Sequence, residues 1–359
     1  MILTLPGEEA RVRQAKRFCT AFLGEGSRPR YLLGRNIYGQ AIVRSASISG
    51  VIDDIASGDK FLGLPVVRAD DVPRDALVLN AAGGRPLTAQ SRLNELGLEN
   101  LDYFAFFKFS GLQLTPVMFN EGFAEDFLNN TSQYALIYSL LRDSMSRDVF
   151  LRLVSFRIKY DLELMRGFKS REHEQYFERF LELGAVGESF VDVGGYDGAT
   201  TLDFVRQCPK YREINVFEPE PQNYCRCVAA LGHLPRVHCH QTGLGENHQT
   251  VGLTSYGSGS AISDDGSNRV SLVRLDDFLN DWPTFIKVDV EGAEASVLRG
   301  ARQIIATYRP RLAVSVYHRA GDFWRIPQLV FEFSDAYDIY LRHYTESIYE
   351  TVMFFLPKK

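Results

Sequence analysis

The 359-residue sequence is poor in several features that would each have fixed its class. It has only five cysteines, at 19, 208, 225, 227 and 239. An odd number, crowded into one half, does not read as a disulfide framework, so a reducing, cytoplasmic setting is expected. No stretch approaches the roughly 20 apolar residues of a membrane span. The opening MILTLPGEEARVRQAKRF lacks a basic segment followed by a long apolar run, so no secretory signal is expected. There is no excess of basic charge: 40 Lys and Arg stand against 45 Asp and Glu, a net charge of -5. That balance argues against a surface built to neutralise nucleic-acid phosphates. Internal repeats and low-complexity tracts are absent. What is present is a globular composition, 45% hydrophobic and 24% charged, in a chain long enough for two domains.

Patterning divides the chain into three stretches. Residues 1–112 read as a small Rossmann-like α/β domain, with short apolar runs at Tyr31–Gly34, Ser47–Asp54, Leu64–Val67 and Ala76–Leu79. Glycine, proline and aspartate punctuate these runs. Residues 113–183 carry apolar side chains every three or four positions and read as a helical connector, its last helix EHEQYFERFLELG stopped by Gly184. Residues 184–359 return to alternating strands and helices. Strands are expected at Ser189–Val193, Ile214–Phe217, Arg236–His240, Thr284–Val290, Arg311–Tyr317, Tyr337–Leu341 and Thr351–Leu356, with GAEASVLRGARQIIATY as a helix. The fold class is therefore α/β, with a doubly wound seven-stranded sheet whose ligand belongs at the carboxyl ends of the strands.

Three segments carry chemistry. In FVDVGGYDGATT a buried strand ends at Asp192, and Gly194, Gly195, Tyr196 and Gly198 lead into a helix. Its glycines permit a tight turn and close approach to a ligand, and the helix beyond offers free N–H groups. In NVFEPEP, Glu218 ends the next strand, 26 residues after Asp192, where an acid accepts hydrogen bonds from ribose hydroxyls. The loop is Asp-x-Gly-x-x-x-Gly rather than the Gly-x-Gly-x-x-Gly that packs on a pyrophosphate. This favours S-adenosylmethionine, whose ammonium an acid such as Asp192 would help hold, over a dinucleotide. In FIKVDVEGAEASVLRGA, Asp289 and Glu291 leave the fourth strand and Glu294 enters the next helix, where the helix dipole alone would favour an acid.

Together with EQYFERFL, VRLDDFL, RPRLAVSVYHRAGDFWRIP and YLRHY…YETVMFF, these segments resemble the FkbM family of methyltransferases over roughly 168–356. The resemblance implies a class I methyltransferase fold, S-adenosyl-L-methionine as donor, and O-methylation of a saccharide, glycolipid or related hydroxyl in surface polysaccharide or secondary-metabolite synthesis. It implies Asp192, Gly194 and Gly198 in the donor's amino-acid pocket, Glu218 on its ribose, Thr242–Gly245 (hence Gly243 and Leu244) near the adenine, and Asp289 and Glu291 beside the methyl. Two departures stand out: Gly195-Tyr196-Asp197 replaces the small residue, Asn and apolar residue of many relatives, and the N-terminal domain lies outside the common core.

A sugar hydroxyl is protonated at neutral pH, so a base is useful. His318, ending LAVSVYH, is the first candidate and Asp289 the second. Asp289, Glu291 and Asp322 are a candidate oxygen set for a divalent ion, though acids at strand ends commonly bind none, and no metal is assigned. Cys225, Cys227, His238, Cys239 and His240 lack the paired spacing of a zinc site.

In the N-terminal domain, Gly34-x-Asn36-x-x-Gly39 is a degenerate dinucleotide loop, and Asp53 follows Gly34 by 19 residues. With GVIDD and LGLPVV it resembles the nucleotide-binding domain that precedes sugar acyltransferases, which implies a nucleotide-sugar site that Asn80–Pro86 would help line. The alternative is a fold kept for packing or for a homodimer. For the whole chain two other readings stay open: a nicotinamide-dependent oxidoreductase, and a non-catalytic nucleotide-binding scaffold.

Overall fold

The computed structural model describes residues 2–55, 60–184, 186–256, 259–262, 268–279 and 281–358. The chain forms two compact units. Unit 1 comprises Met1–Glu125, Asp148–Glu172 and His343–Tyr349; unit 2 comprises Asp126–Arg147, His173–Arg342 and Glu350–Lys359. The stretch read as a helical connector contributes residues to both.

Unit 1 opens with α1 (Glu8–Leu23), then β1 (Arg30–Leu33), α2 (Ile37–Ser45), β2 (Gly50–Ile52), β3 (Lys60–Phe61), β4 (Leu64–Val67), β5 (Leu77–Asn80), α3 (Pro86–Glu95), β6 (Glu99–Asp102) and α4 (Tyr103–Phe109). Its sheet has the order β3-β4-β2-β1-β5-β6, parallel apart from the β3–β4 hairpin. The strand order reverses at β1, so the switch point lies between β1 and β5. β5 is buried throughout, as a strand covered on both faces must be. Asp102 starts α4 by accepting from Ala105 N at 3.0 Å.

The helices α5 (Phe123–Asn129), α6 (Thr131–Leu140) and α7 (Ser144–Lys159) follow, as the 3.6-residue periodicity predicts. The helix expected over EHEQYFERFLELG does not form. Two short 3-10 turns, Glu172–Glu174 and Arg179–Leu181, take its place. Tyr176 has φ +72° and Glu182 φ +48°, conformations that end a right-handed helix. Tyr176 is buried with its hydroxyl bonded to Asp289, a tertiary contact that overrides the local periodicity.

Unit 2 continues with β7 (Ser189–Val193), α8 (Ala199–Gln207), β8 (Glu213–Phe217), α9 (Pro221–Leu231), β9 (Val237–His240), β10 (Gly243–Leu244), β11 (Gln249–Tyr256), β12 (Gly259–Ile262), β13 (Asn268–Val273) and α10 (Leu275–Phe278). It closes with β14 (Phe285–Val288), α11 (Glu294–Gly300), α12 (Arg302–Tyr308), β15 (Arg311–Ser315), α13 (Asp322–Phe333), β16 (Tyr337–His343) and β17 (Thr351–Pro357). All seven expected strands appear, in the order β16-β17-β15-β14-β7-β8-β9, with β17 antiparallel to β15. The single helix expected over residues 292–308 is broken at Ala301 into α11 and α12. The four-stranded sheet β10-β13-β11-β12 was not expected. A stacked aromatic core joins the strands: the Phe190 ring lies 4.3 Å from Phe204 and 5.2 Å from Phe285. No helix among the described residues is long and apolar enough to cross a membrane.

Candidate functional site

In unit 2 the strand order reverses between β7 and β14, which opens a crevice at their carboxyl ends. The loop after β7 and the end of β14 meet there directly. Gly194 has φ +83°, and a Cβ on it would lie 1.9 Å from the Asp289 carbonyl oxygen. Only glycine meets both demands, because other residues rarely adopt that φ and their Cβ would collide.

Asp192, at the end of β7, is enclosed by its neighbours. It is fully buried, accepts from Thr201 Oγ1 at 2.7 Å and lies 3.1 Å from Lys287 Nζ. Lys287, itself 3% exposed, also donates to the carbonyls of Gly194 (2.6 Å) and Val193 (3.3 Å). Burial works against the ammonium, but Asp192 and Asp289 outweigh it and hold its pKa above the ordinary value. Asp192 therefore acts on the loop through Lys287, a lysine that reads in sequence as one odd residue in an apolar strand.

The Gly194 and Gly195 N–H groups donate to Phe217 O, and Gly198 precedes the first turn of α8. Tyr196 sits at φ +50° and its N–H donates to Glu218 Oε2 at 2.9 Å. Glu220 N donates to Glu218 Oε1, also at 2.9 Å. Burial raises the Glu218 pKa, partly offset by these amides. Each oxygen retains a lone pair for a hydroxyl donor, which fits a ribose. Gly243 and Leu244 form β10 and are buried, with Gly243 packed on Leu272 and Pro219.

On the other side of Asp289 stands His318, beyond the end of β15 and 7% exposed. Its Nδ1 lies 2.8 Å from Glu294 Oε1, while Nε2 lies 3.5 Å from Asp289 Oδ1 and 3.6 Å from Glu291 Oε2. Glu294 Oε1 also accepts from Val290 N and Gly292 N at 3.1 and 3.2 Å. The Tyr176 hydroxyl donates to Asp289 Oδ2. Glu350 accepts from Gln175 Nε2 at 2.6 Å and from the Tyr317 hydroxyl at 3.3 Å. Asp322 accepts from Arg319 N at 2.7 Å. Glu291 and Glu350 both have positive φ, +52° and +56°, a strain that collects where a site over-determines its backbone.

The electrostatics follow from crowding. Burial opposes the His318 imidazolium, yet Glu294, Asp289 and Glu291 outweigh it and push its pKa up to about 10. Burial raises Glu291 to about 7 against the pull of His318. Burial and the Glu294 charge raise Asp322 to about 7, and burial and the Asp289 charge raise Glu350 to about 7. For Asp289 burial is outweighed by His318 and Lys287, which hold it below the usual range. Asp289, Glu294 and His318 offer atoms within 4.8 Å of one another, a grouping compatible with a metal ion. The carboxylates that surround His318 favour its protonated form, which would place positive charge in this cluster. The structure thus joins His318, Asp289 and Glu291 and adds Glu294, Asp322, Tyr176 and Glu350 around them. His240 is instead bonded to Asn215 at 2.9 Å, while Cys225 is exposed and Cys227 buried.

The loop of unit 1 is closed by its own side chains. Asn36 Oδ1 accepts from Tyr38 N and Gly39 N, both 3.1 Å, and its Nδ2 donates to Ala81 O across the switch point at 2.8 Å. Arg35 takes Asp53 at 2.7 Å, and Asp54 accepts from Ala69 N. A Cβ on Gly39 would lie 2.4 Å from Gly34 O, so that glycine is explained by helix–strand packing. Glu346 occupies the first turn of α3 through Thr88 N at 2.7 Å. The polar groups at the end of this loop are thus bonded to one another and to the neighbouring segment.

Residues 192–348 match the family model described as the Methyltransferase FkbM domain. Among curated proteins, the chain is similar to Methyltransferase 1 of Beauveria bassiana (strain ARSEF 2860), 30% identical over 165 residues, or 37% of this chain and 66% of that protein. It is also similar to 2-O-methyltransferase NoeI of Sinorhizobium fredii (strain NBRC 101917 / NGR234), 25% identical over 145 residues, or 33% of this chain and 59% of that protein. The match therefore spans about two thirds or less of each relative. Among solved structures, Methyltransferase FkbM from Methylobacillus flagellatus KT shares the fold, with a TM-score of 0.74 at 22% identity over 97% of this chain and 99% of that one. Residues 192–348 of this chain thus match an FkbM methyltransferase domain, and the fold is that of an FkbM methyltransferase of solved structure.

Proposed function

We propose that the chain is an S-adenosylmethionine-dependent O-methyltransferase acting on a hydroxyl of a saccharide, glycolipid or nucleotide-sugar. One observation carries this reading: a glycine loop and a ribose-type acid, Glu218, share one crevice with an acid–imidazole cluster centred on His318. A relative named for 2-O-methylation supports oxygen as the acceptor atom; the saccharide rests on the family resemblance. S-adenosylmethionine supplies an electrophilic methyl on a sulfonium. Glu218 would hold its ribose, the Gly194–Gly198 loop its amino-acid end, and β10 its adenine side.

The carboxylates around His318 push its pKa up to about 10, which favours the imidazolium at neutral pH and turns the assignment of the base away from it. Asp289 is a weak base, its charge spent on His318, Lys287 and Tyr176. Glu291 is the better acceptor: its pKa near 7 suits a general base, and its side chain is 29% exposed. His318 then orients the carboxylates, and Glu294 fixes the imidazole ring. A nicotinamide-dependent reading is disfavoured, because Asn36 fills the loop of unit 1.

Isothermal titration with S-adenosylhomocysteine tests the donor site. We expect saturable binding that Glu218→Ala weakens at least tenfold, about 1.4 kcal/mol, while Glu291→Gln leaves it intact. With an acceptor found by screening, Glu291→Gln should lower turnover about 10²–10⁴-fold, the usual contribution of a general base. Absence of S-adenosylhomocysteine binding in folded protein overturns the reading; full turnover by Glu291→Gln removes only the base assignment.

A further inference from the structure

At the opposite, amino edge of the seven-stranded sheet, unit 2 carries a groove of about 990 Å³ that the methyl-transfer reading does not use. Two stacked aromatic pairs line it. Trp282 and Tyr308 lie 5.1 Å apart at 12° between ring planes, each 49% exposed. Phe180 and Tyr340 lie 4.7 Å apart at 18°. Both pairs are held. Arg212 donates to the Trp282 carbonyl at 2.9 Å, with its guanidinium 5.8 Å from the ring centre. Phe354 meets Phe180 edge-on at 5.3 Å. Charged groups of both signs complete the lining, including Arg142, which pairs with Asp338 at 3.5 Å.

Large half-exposed aromatics cost apolar exposure that a tryptophan and tyrosine stacked in water do not need for folding. They are useful where a ligand has a flat apolar face with polar edges. A pyranose ring has that form: its C–H face covers an aromatic ring, and its hydroxyls reach donors and acceptors at the rim. Nucleobases also stack on aromatic rings, but single-stranded nucleic acid needs a positively charged track for its phosphates. The lining cations are Arg142, Arg309, Arg311 and Lys358; Arg142 is matched by Asp338, Arg311 by Glu188, and Lys358 Nζ donates to the Asp335 carbonyl, so they do not form a free cationic track, and the chain's net charge is -5. We infer that this groove is a second, non-catalytic saccharide-binding site, with the Trp282–Tyr308 pair as its platform.

The chain has only two tryptophans, so Trp324→Phe leaves Trp282 as the single indole reporter. In that background, a glycan array followed by fluorescence titration of any oligosaccharide hit should show saturable change in Trp282 emission. Tyr308→Ala should weaken binding about tenfold, and Tyr308→Phe should restore it, with circular dichroism confirming that both variants fold. Oligothymidine dT12 is the comparison probe. The inference is overturned if no glycan binds, if binding is indifferent to Tyr308→Ala, or if only dT12 changes the emission. None of these readouts depends on S-adenosylhomocysteine, so failure here leaves the donor-site reading standing.

Discussion

His318 is buried among carboxylates, and its charge is a consequence of that placement. Its folded pKa of about 10 lies above the ordinary 6.5, so its contribution to stability is complete below pH 6.5 and lost as pH rises through about 10. The melting-temperature gap between the wild-type chain and His318→Gln should therefore be widest near pH 6 and close towards pH 10. Thermal melts at pH 6, 8 and 10 would measure it, and a gap constant over that range would contradict the assigned charge. His318, Asp289 and Glu291 were legible because they follow strand ends in sequence. Glu350 and Tyr176 were not, because they lie far in sequence from that cluster's strands, in YETVMFF and EQYFERFL, where nothing local marks either residue as facing it.

At the scale of elements, the contact between the β7 loop and the end of β14 is what brings the glycine loop and the acid cluster together. Gly194→Ala should cost about 1–3 kcal/mol for forcing atoms into a packed position, added to roughly 1–2 kcal/mol for a side chain at positive φ. Urea denaturation would read this directly, and a loss below about 0.5 kcal/mol, the range of ordinary surface substitutions, would show that the two loops are not held as described. Strands were the easiest elements to foresee. Parallel strands covered on both faces must be apolar runs, and all seven of unit 2 were found within a few residues. The helix expected over EHEQYFERFLELG was not there, since burying Tyr176 against Asp289 outweighs the propensity of a short segment. The sheet β10-β13-β11-β12 is less legible because QTVGLTSY and NRVSLV mix polar and apolar residues and gain their pairing partners only in the fold.

Over the whole molecule, two units share the same mostly parallel design with a switch point, yet their carboxyl edges differ. In unit 2 Glu218 leaves lone pairs in the crevice; in unit 1 Arg35, Asn36 and Glu346 occupy the corresponding groups. We therefore expect neither NADH nor UDP-glucose to bind unit 1. Calorimetric titration of the full chain decides this: saturable binding of either that disappears in Asp53→Ala would restore the nucleotide reading.

The α/β class, the strand positions of unit 2 and the position of its glycine loop and acid segments were written in the sequence, because apolar periodicity and glycine-rich turns are local properties. What the fold adds is that Asp192 pairs with Lys287, that His318 is buried among three carboxylates, and that the polar groups of the unit 1 loop bond to one another. Each of these depends on which charged or polar group is buried against which, and that pairing joins residues dozens to hundreds of positions apart that no local pattern connects.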